Sequence, residues 1–137
     1  MRKTVKSMID EATAAITTYS IEEARELHGL EDVQFIDIRD IRELERDGVI
    51  PGAFHAPRGM LEFWVDPESP YHKPVFSQDK RFVLFCAAGW RSALATKTVQ
   101  DMGLPRVGHI DGGFGAWKTS GAPVVDKSQQ ADRAKKA

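Results

Sequence analysis

The chain has 137 residues, 42% hydrophobic and 28% charged, and its formal net charge is −1 at pH 7. These values are typical of one globular domain, and the balanced charge gives no general attraction to nucleic acid or to anionic membranes. A single cysteine excludes an internal disulfide, which suits a reducing compartment. No run approaches the roughly 18 apolar residues of a membrane span, and the basic start lacks the apolar core of a signal peptide. We therefore expect a cytoplasmic protein.

Strands and helices alternate in the first half of the chain. The pattern predicts helices at 1–16 and 20–28, a strand at 33–38, a helix at 40–46, a short strand within 49–57 and a short helix near 59–64. Ser20 and Glu23 form the capping box that begins the second of these helices. An irregular loop that contains three prolines is expected to continue to residue 80.

The second half predicts the centre of a parallel sheet. The apolar run RFVLFC at 81–86 suits a strand that is buried on both faces. We then expect a helix at 92–102, a short strand at 106–110, a helix around 114–120, and a disordered tail from residue 126. This alternation predicts an α/β fold with a parallel sheet. Ligands bind such sheets at the C-terminal ends of the strands.

The only cysteine, Cys86, stands at the end of this central strand, and a helix follows after a very short loop. The loop residues are Ala87, Ala88, Gly89, Trp90 and Arg91. A tight curl can turn their N–H groups around the sulfur as an anion-binding nest, and the helix N-terminus adds partial positive charge. A thiol in this setting ionises below the ordinary pKa of about 8.5 and can carry a covalent intermediate. The alternative is a small buried hydrophobe, which a cysteine in an apolar strand often is.

Three motifs on either side of this loop resemble the rhodanese, or thiosulfate sulfurtransferase, family. FIDIR at 35–39, followed by Glu43, looks like the family's first strand and helix. GVIPGA at 48–53 resembles its Gly-His-Ile-Pro-Gly-Ala element, with Val49 in place of the histidine. VGHIDGGFGAW at 107–117 is similar to its C-terminal Gly-Gly-x-x-x-Trp signature. The motifs stand in the family's order and spacing, which makes the resemblance specific.

The resemblance divides the chain into an N-terminal helical extension at 1–19, a rhodanese-like domain at 20–125 and a tail at 126–137. It implies a five-stranded parallel sheet flanked by helices on both faces. It also implies that Cys86 is the nucleophile that accepts sulfur and that residues 87–91 cradle the substrate. No cofactor or metal is implied. The implied partners are a small-molecule sulfur donor and a cyanide or thiol acceptor, and the oligomeric state is left open.

The activity implied is transfer of a sulfane sulfur from thiosulfate or a similar donor to cyanide or a thiol, through a persulfide on Cys86. Two alternatives remain. Phosphatases and arsenate reductases also place a cysteine and an arginine in an anion loop, but the phosphatase signature has five residues between them and this chain has four. The other alternative is a non-catalytic module whose cysteine senses persulfides or oxidants.

Other side chains near the motifs are further candidates for the site. Arg91 suits an oxyanion such as the sulfonate of thiosulfate, or could brace the loop. Trp90 could form a wall of the pocket or pack on a neighbour. We expect structural roles for His55 and His109, because attack by a thiolate requires no separate base. We expect a structural role for Asp37 as well, with its carboxylate bonded to backbone N–H groups.

Overall fold

The computed structural model describes residues 1–130, and these form a five-stranded sheet with helices on both faces. The strands are β1 Thr17–Tyr19, β2 Val33–Asp37, β3 Phe54–His55, β4 Arg81–Phe85 and β5 Val107–Ile110. Every pairing within the sheet is parallel, and the strand order is β1-β5-β4-β2-β3. The predicted α/β class and the five-stranded parallel sheet are therefore confirmed.

The helices follow the predicted positions closely. The α-helices are α1 Val5–Ala15, α2 Ile21–Leu27, α3 Ile41–Asp47, α4 Leu61–Val65, α5 Trp90–Met102 and α6 Gly113–Thr119. Two short 3-10 helices, Arg58–Met60 and Pro74–Ser77, flank the proline-rich loop. The predicted capping box is present, because the Ser20 hydroxyl accepts from the Glu23 amide and the Glu23 carboxylate accepts from the Ser20 amide. Within residues 1–130, none of these helices is both long and apolar enough to cross a membrane.

The core consists of two apolar clusters, one on each face of the sheet. Side chains alternate along β4, so that Phe82 and Leu84 enter one cluster while Val83 and Phe85 enter the other. Helices α4 and α5 cover the first cluster, and α2 and α6 cover the second. Helix α1 packs against α5. The continuous apolar run of β4 therefore reflects burial on both faces, as predicted.

Strand β1 lies inside the segment that the sequence assigns to a helical extension. Its three residues, Thr17–Tyr19, carry no alternating pattern that marks a strand, and they pair with the exposed edge of β5. Gly108 in β5 permits this pairing, because a Cβ there would lie 2.7 Å from Tyr19 Cε2 and 2.8 Å from the Thr17 carbonyl oxygen. The extension thus contributes an edge strand to the sheet as well as a helix.

The predicted tail begins within the described residues. Residues 127–130 are helical. The side chain of Gln130 accepts a hydrogen bond from the Gly52 amide and donates one to the Ala53 carbonyl. The rest of the tail, 131–137, lies outside the described residues, and disorder there stays a prediction.

Candidate active site

The Cys86 loop lies at the C-terminal edge of the sheet, where ligand sites form in parallel folds. Cys86 follows β4 directly, and α5 begins at Trp90, so the connection between them is short. Gly89 caps α5 with a φ of +112°, a backbone conformation that residues with a Cβ rarely adopt. This turn folds the chain over the sulfur, and Cys86 is only 1% exposed.

Hydrogen-bond donors converge on the sulfur from the loop and from the first turn of α5. The Gly89 amide lies 3.2 Å from Sγ and the Ser92 amide 3.4 Å. The Ser92 hydroxyl oxygen is 3.6 Å from Sγ. Burial alone would raise the pKa of Cys86, but the hydrogen bonds from Ser92 and from the Gly89 amide favour the thiolate. The Ala88 amide acts in the same sense, and the pKa of the thiol falls below its ordinary value.

The back of the loop is held by the start of α6. The Phe114 amide donates to the Cys86 carbonyl at 2.8 Å, and the Gly115 amide donates to the Ala87 carbonyl at 3.0 Å. Gly113 makes this approach possible, because a Cβ there would lie 2.5 Å from the Cys86 carbonyl oxygen. Ala87 therefore contributes its carbonyl to the anchoring of the loop. The second glycine of the IDGG motif, Gly113, therefore lets the start of α6 lie directly against the backbone of Cys86.

Arg91 is joined to α3 by a bidentate ion pair. Its two terminal nitrogens donate to the Glu43 carboxylate at 2.8 and 2.9 Å. The hydrogen bonds to Glu43 raise the pKa of Arg91, the Cys86 sulfur adds to the effect, and the pKa of Glu43 is lowered in return. Of the two roles considered for Arg91, this geometry supplies the brace. Its side chain nevertheless keeps 43% of its surface exposed.

A buried ion pair stands at the end of the neighbouring strand β2. Arg39 and Asp37 are almost fully buried, and Arg39 Nη2 donates to Asp37 Oδ2 at 2.8 Å and to the Gly48 carbonyl at 2.9 Å. The Arg39 guanidinium also lies 4.0 Å from the centre of the Phe114 ring. His55 Nε2 lies 2.7 Å from the Arg39 carbonyl oxygen. These contacts are compatible with the structural roles that the sequence predicts for Asp37 and His55, and the roles themselves stay predictions.

Trp90, the first residue of α5, is 63% exposed. Trp90 is therefore largely in solvent beside the cysteine loop. The two roles considered for it, a wall of the pocket or packing on a neighbour, both stay predictions.

Ser92 connects the sulfur to His109, a contact that sequence reasoning missed. Ser92 Oγ lies 2.9 Å from His109 Nδ1, and His109 Nε2 lies 3.2 Å from Thr18 Oγ1. Ser92 and His109 are buried, whereas Thr18 is exposed. Burial lowers the pKa of His109 although Asp111 opposes the shift, so the ring is neutral at pH 7. The sequence carries no signal for this series of hydrogen bonds, because Ser92, His109 and Thr18 come from three separate elements.

The fold and the site define a class of α/β protein with a cysteine loop at the end of a central parallel strand. A buried thiol with a lowered pKa lies in a nest of N–H groups at the functional edge of a parallel sheet. Among residues 1–130, no three His, Cys, Asp or Glu side chains are grouped to bind a metal ion. The model of the rhodanese-like domain matches residues 20–120, and the chain therefore belongs to the rhodanese-like family.

Relatives of known sequence or structure agree with this assignment. A sulfurtransferase of Allochromatium vinosum is 30% identical over 102 residues, which cover 74% of this chain and 87% of that protein. The polysulfide-sulfur transferase homodimer of Wolinella succinogenes is 30% identical, with a TM-score of 0.67 and coverage of 90% of this chain and 88% of that one. A Rhodopseudomonas palustris protein of unknown function, described as a possible tyrosine phosphatase, is 57% identical, with a TM-score of 0.89 and coverage of 91% and 96%. The family and the two transferases support sulfur transfer as the general activity.

Proposed function

We propose that this chain transfers a sulfane sulfur from thiosulfate or a similar donor to cyanide or a thiol, through a persulfide on Cys86. The convergence of the Gly89 and Ser92 amides and the Ser92 hydroxyl on one buried sulfur carries the proposal. These donors lower the pKa of the thiol, and the thiolate is the nucleophilic form. A reducing compartment such as the cytoplasm is part of the proposal, because the only thiol must stay free to react.

In the first step, the Cys86 thiolate attacks the outer sulfur of thiosulfate. A bond forms between Sγ and that sulfur, the S–S bond of thiosulfate breaks, and sulfite leaves with the electron pair. The negative charge then rests on the outer sulfur of the persulfide. Loop N–H groups that already face Sγ are suited to stabilise this charge, because they are oriented before the reaction begins.

In the second step, the acceptor attacks the outer sulfur of the persulfide. Cyanide becomes thiocyanate, or a thiolate becomes a persulfide, and Cys86 leaves as the thiolate with which the cycle began. Both steps are displacements at sulfur, so the electron balance needs no further oxidant or reductant.

In this proposal, Arg91 braces the loop and also attracts the anionic donor. The pair with Glu43 uses one N–H of each terminal nitrogen, which leaves other guanidinium N–H groups for an oxyanion. The partial exposure of Arg91 keeps these groups within reach of solvent. Trp90, which stands largely in solvent beside the loop, supplies an apolar surface for the donor or acceptor.

The test compares the wild type with Cys86→Ser. Cys86 is the only cysteine, so one sulfur atom added to the intact mass after treatment with thiosulfate or polysulfide reports on this residue alone. We expect the wild type to gain one sulfur and to form thiocyanate when cyanide follows. Cys86→Ser should do neither while keeping the wild-type circular dichroism spectrum. Sulfur transfer by Cys86→Ser at the wild-type rate would overturn the proposal.

The relative described as a possible tyrosine phosphatase favours a second candidate, hydrolysis of phosphate esters. The four residues between Cys86 and Arg91 argue against it, because a loop one residue shorter than the phosphatase signature leaves less room for a phosphoryl group with three oxygens. We expect negligible hydrolysis of aryl phosphates in the same preparation. Phosphatase turnover that depends on Cys86 and exceeds sulfur transfer would promote this candidate. Persulfide formation without turnover would instead indicate a sensing module.

A further inference from the structure

We propose that Ser92, His109 and Thr18 form a hydrogen-bonded relay that takes the thiol proton of Cys86 to solvent and then directs the Ser92 hydroxyl onto the thiolate. The inference rests on the proposed function, since it explains how the attacking thiolate is formed and held. His109 and Thr18 act through Ser92 and touch no reacting atom. They are therefore positioning residues.

The relay is continuous from a buried end to an exposed end. Its steps are 3.6 Å from Cys86 Sγ to Ser92 Oγ, 2.9 Å from Ser92 Oγ to His109 Nδ1, and 3.2 Å from His109 Nε2 to Thr18 Oγ1. Thr18 lies in the edge strand and is exposed, whereas the other members are buried. The relay therefore leads from the sulfur to solvent at the edge of the sheet.

The fold brings these residues together through strand register and helix packing. His109 in β5 lies between Leu84 of β4 and Thr18 of β1 in the parallel sheet. Its side chain shares a face with Val107, two residues earlier, and α5 covers that face. Ser92 in the first turn of α5 therefore meets the imidazole from above the sheet, and Thr18 meets it from the side.

The relay can adopt two complete patterns of hydrogen bonds. With a thiol, Cys86 S–H donates to Ser92 Oγ, the Ser92 hydroxyl donates to His109 Nδ1, and Nε2–H donates to Thr18 Oγ1. With a thiolate, every bond reverses, so that Thr18 donates to Nε2, Nδ1–H donates to Ser92 Oγ, and the Ser92 hydroxyl donates to Sγ. Each group has the proton and the lone pair that both patterns need.

Conversion between the two patterns balances protons and charge. The S–H proton moves to Ser92 Oγ, the Ser92 proton moves to Nδ1, the Nε2 proton moves to Thr18, and the Thr18 proton passes to water. One positive charge leaves, one negative charge remains on sulfur, and His109 is neutral before and after. Its lowered pKa suits this role, because a protonated ring has no lone pair to accept from a hydroxyl.

The relay favours the thiolate over the thiol because a charge interacts with aligned dipoles more strongly than a neutral S–H does. The Gly89 carbonyl oxygen, 3.3 Å from Ser92 Oγ, competes with the sulfur for the proton of the Ser92 hydroxyl. A bond from Nδ1–H to Ser92 Oγ polarises the hydroxyl and strengthens the hydrogen bond that it donates to Sγ. The groups facing His109 are Ser92 from α5, Thr18 from β1 and, acting through charge, Asp111 after β5.

The experiment measures the rate of alkylation of Cys86 by iodoacetamide as a function of pH. We expect His109→Phe to raise the pKa of the thiol and to slow alkylation at neutral pH by about threefold to tenfold. His109→Asn should recover most of the loss, because its amide can donate to Ser92 in place of Nδ1–H. Thr18→Val should raise the pKa by a smaller amount, and Thr18→Ser, the matched control, should leave it unchanged.

A wild-type pKa in both His109→Phe and Thr18→Val would overturn the relay. If His109→Phe fails to fold, the exposed Thr18 pair and His109→Asn decide the question, and equal pKa values in Thr18→Val and Thr18→Ser would overturn the exit to solvent. Alkylation needs no sulfur donor or acceptor. A failure of sulfur transfer with the expected order of pKa values would therefore count against the proposed function and leave the relay standing.

Discussion

Replacement of Gly113 by alanine tests whether the close approach of α6 fixes the cysteine loop. A Cβ on residue 113 would lie 2.5 Å from the Cys86 carbonyl oxygen and 2.9 Å from the Ala87 carbonyl carbon. The first distance is about 1 Å short of an ordinary van der Waals contact. Both neighbours are backbone atoms, so no side-chain rotation relieves the clash. The loop must move away from α6, which stretches the hydrogen bonds that Phe114 and Gly115 donate to it.

The expected cost of Gly113→Ala follows from these contacts. Gly113 has a φ of +59°, and the left-handed conformation costs a residue with a Cβ about 1–2 kcal/mol. Each of the two stretched hydrogen bonds adds about 0.5–1.5 kcal/mol. We therefore expect the free energy of unfolding to fall by about 2–5 kcal/mol. The matched control is Gly121→Ala, since Gly121 has a φ of +84° but a Cβ there would meet nothing within 4 Å.

Urea unfolding measures both variants, and the pH dependence of alkylation reports on the sulfur. Gly121→Ala should lose only about 1–2 kcal/mol, the cost of its backbone conformation, with an unchanged pKa of Cys86. Gly113→Ala should also raise that pKa, because the displaced loop no longer centres its amides on Sγ. Equal destabilisation of the two variants, to within about 0.5 kcal/mol, together with an unchanged pKa, would refute this reasoning.

Three further predictions concern the charged groups around the site. Glu43→Gln should destabilise the fold by about 1 kcal/mol or less at pH 7, because the pair with Arg91 is partly exposed, while exposed Glu45→Gln on the same helix should have no effect in urea unfolding. The pKa of Glu43 is lowered in the folded state. The difference in unfolding free energy between the wild type and Glu43→Gln should therefore hold above about pH 5 and shrink only below about pH 4. A difference that stays constant down to about pH 3 would contradict this prediction. Arg91→Ala should lower kcat/KM for thiosulfate about tenfold or more, and an unchanged kcat/KM would leave Arg91 as a brace alone. The pKa of His109 is lowered on folding, so the unfolded chain binds a proton more readily than the folded chain does, and stability should fall as the pH drops below about 6.5. In urea unfolding, His109→Asn should reduce this dependence of stability on pH. The same pH dependence in the variant and the wild type would show that His109 is not its source.

Features encoded by neighbouring residues could be predicted from the sequence. The apolar run of β4 specifies a strand buried on both faces, because polar side chains on either buried face would lose their hydration. The Ser20 capping box specifies the start of α2 because both of its bonds lie within one turn. The position of Cys86 between a strand and a helix likewise predicted a loop that folds over the sulfur.

Contacts between distant parts of the chain could not be predicted in this way. Arg91 binds Glu43, which is 48 residues away in the sequence, and Thr18 contacts His109, which is 91 residues away. A pattern of side-chain types within a short window carries no information on which strand lies beside which. Strand β1 shows this most clearly, because its three residues become a strand only where β5 offers an unpaired edge and Gly108 leaves room for Tyr19.

The sequence alone therefore determined the fold class, the order of most elements and the place of Cys86 at the end of a central strand, because each depends on local periodicity, capping or chain direction. Only the tertiary structure decided which groups surround the Cys86 sulfur. Ser92 reaches His109 because α5 packs on the face of β5 from which the imidazole projects. Gly113 lies against the Cys86 carbonyl because α6 starts at the same edge of the sheet. Both contacts arise from parallel pairing, which places the ends of strands distant in sequence side by side.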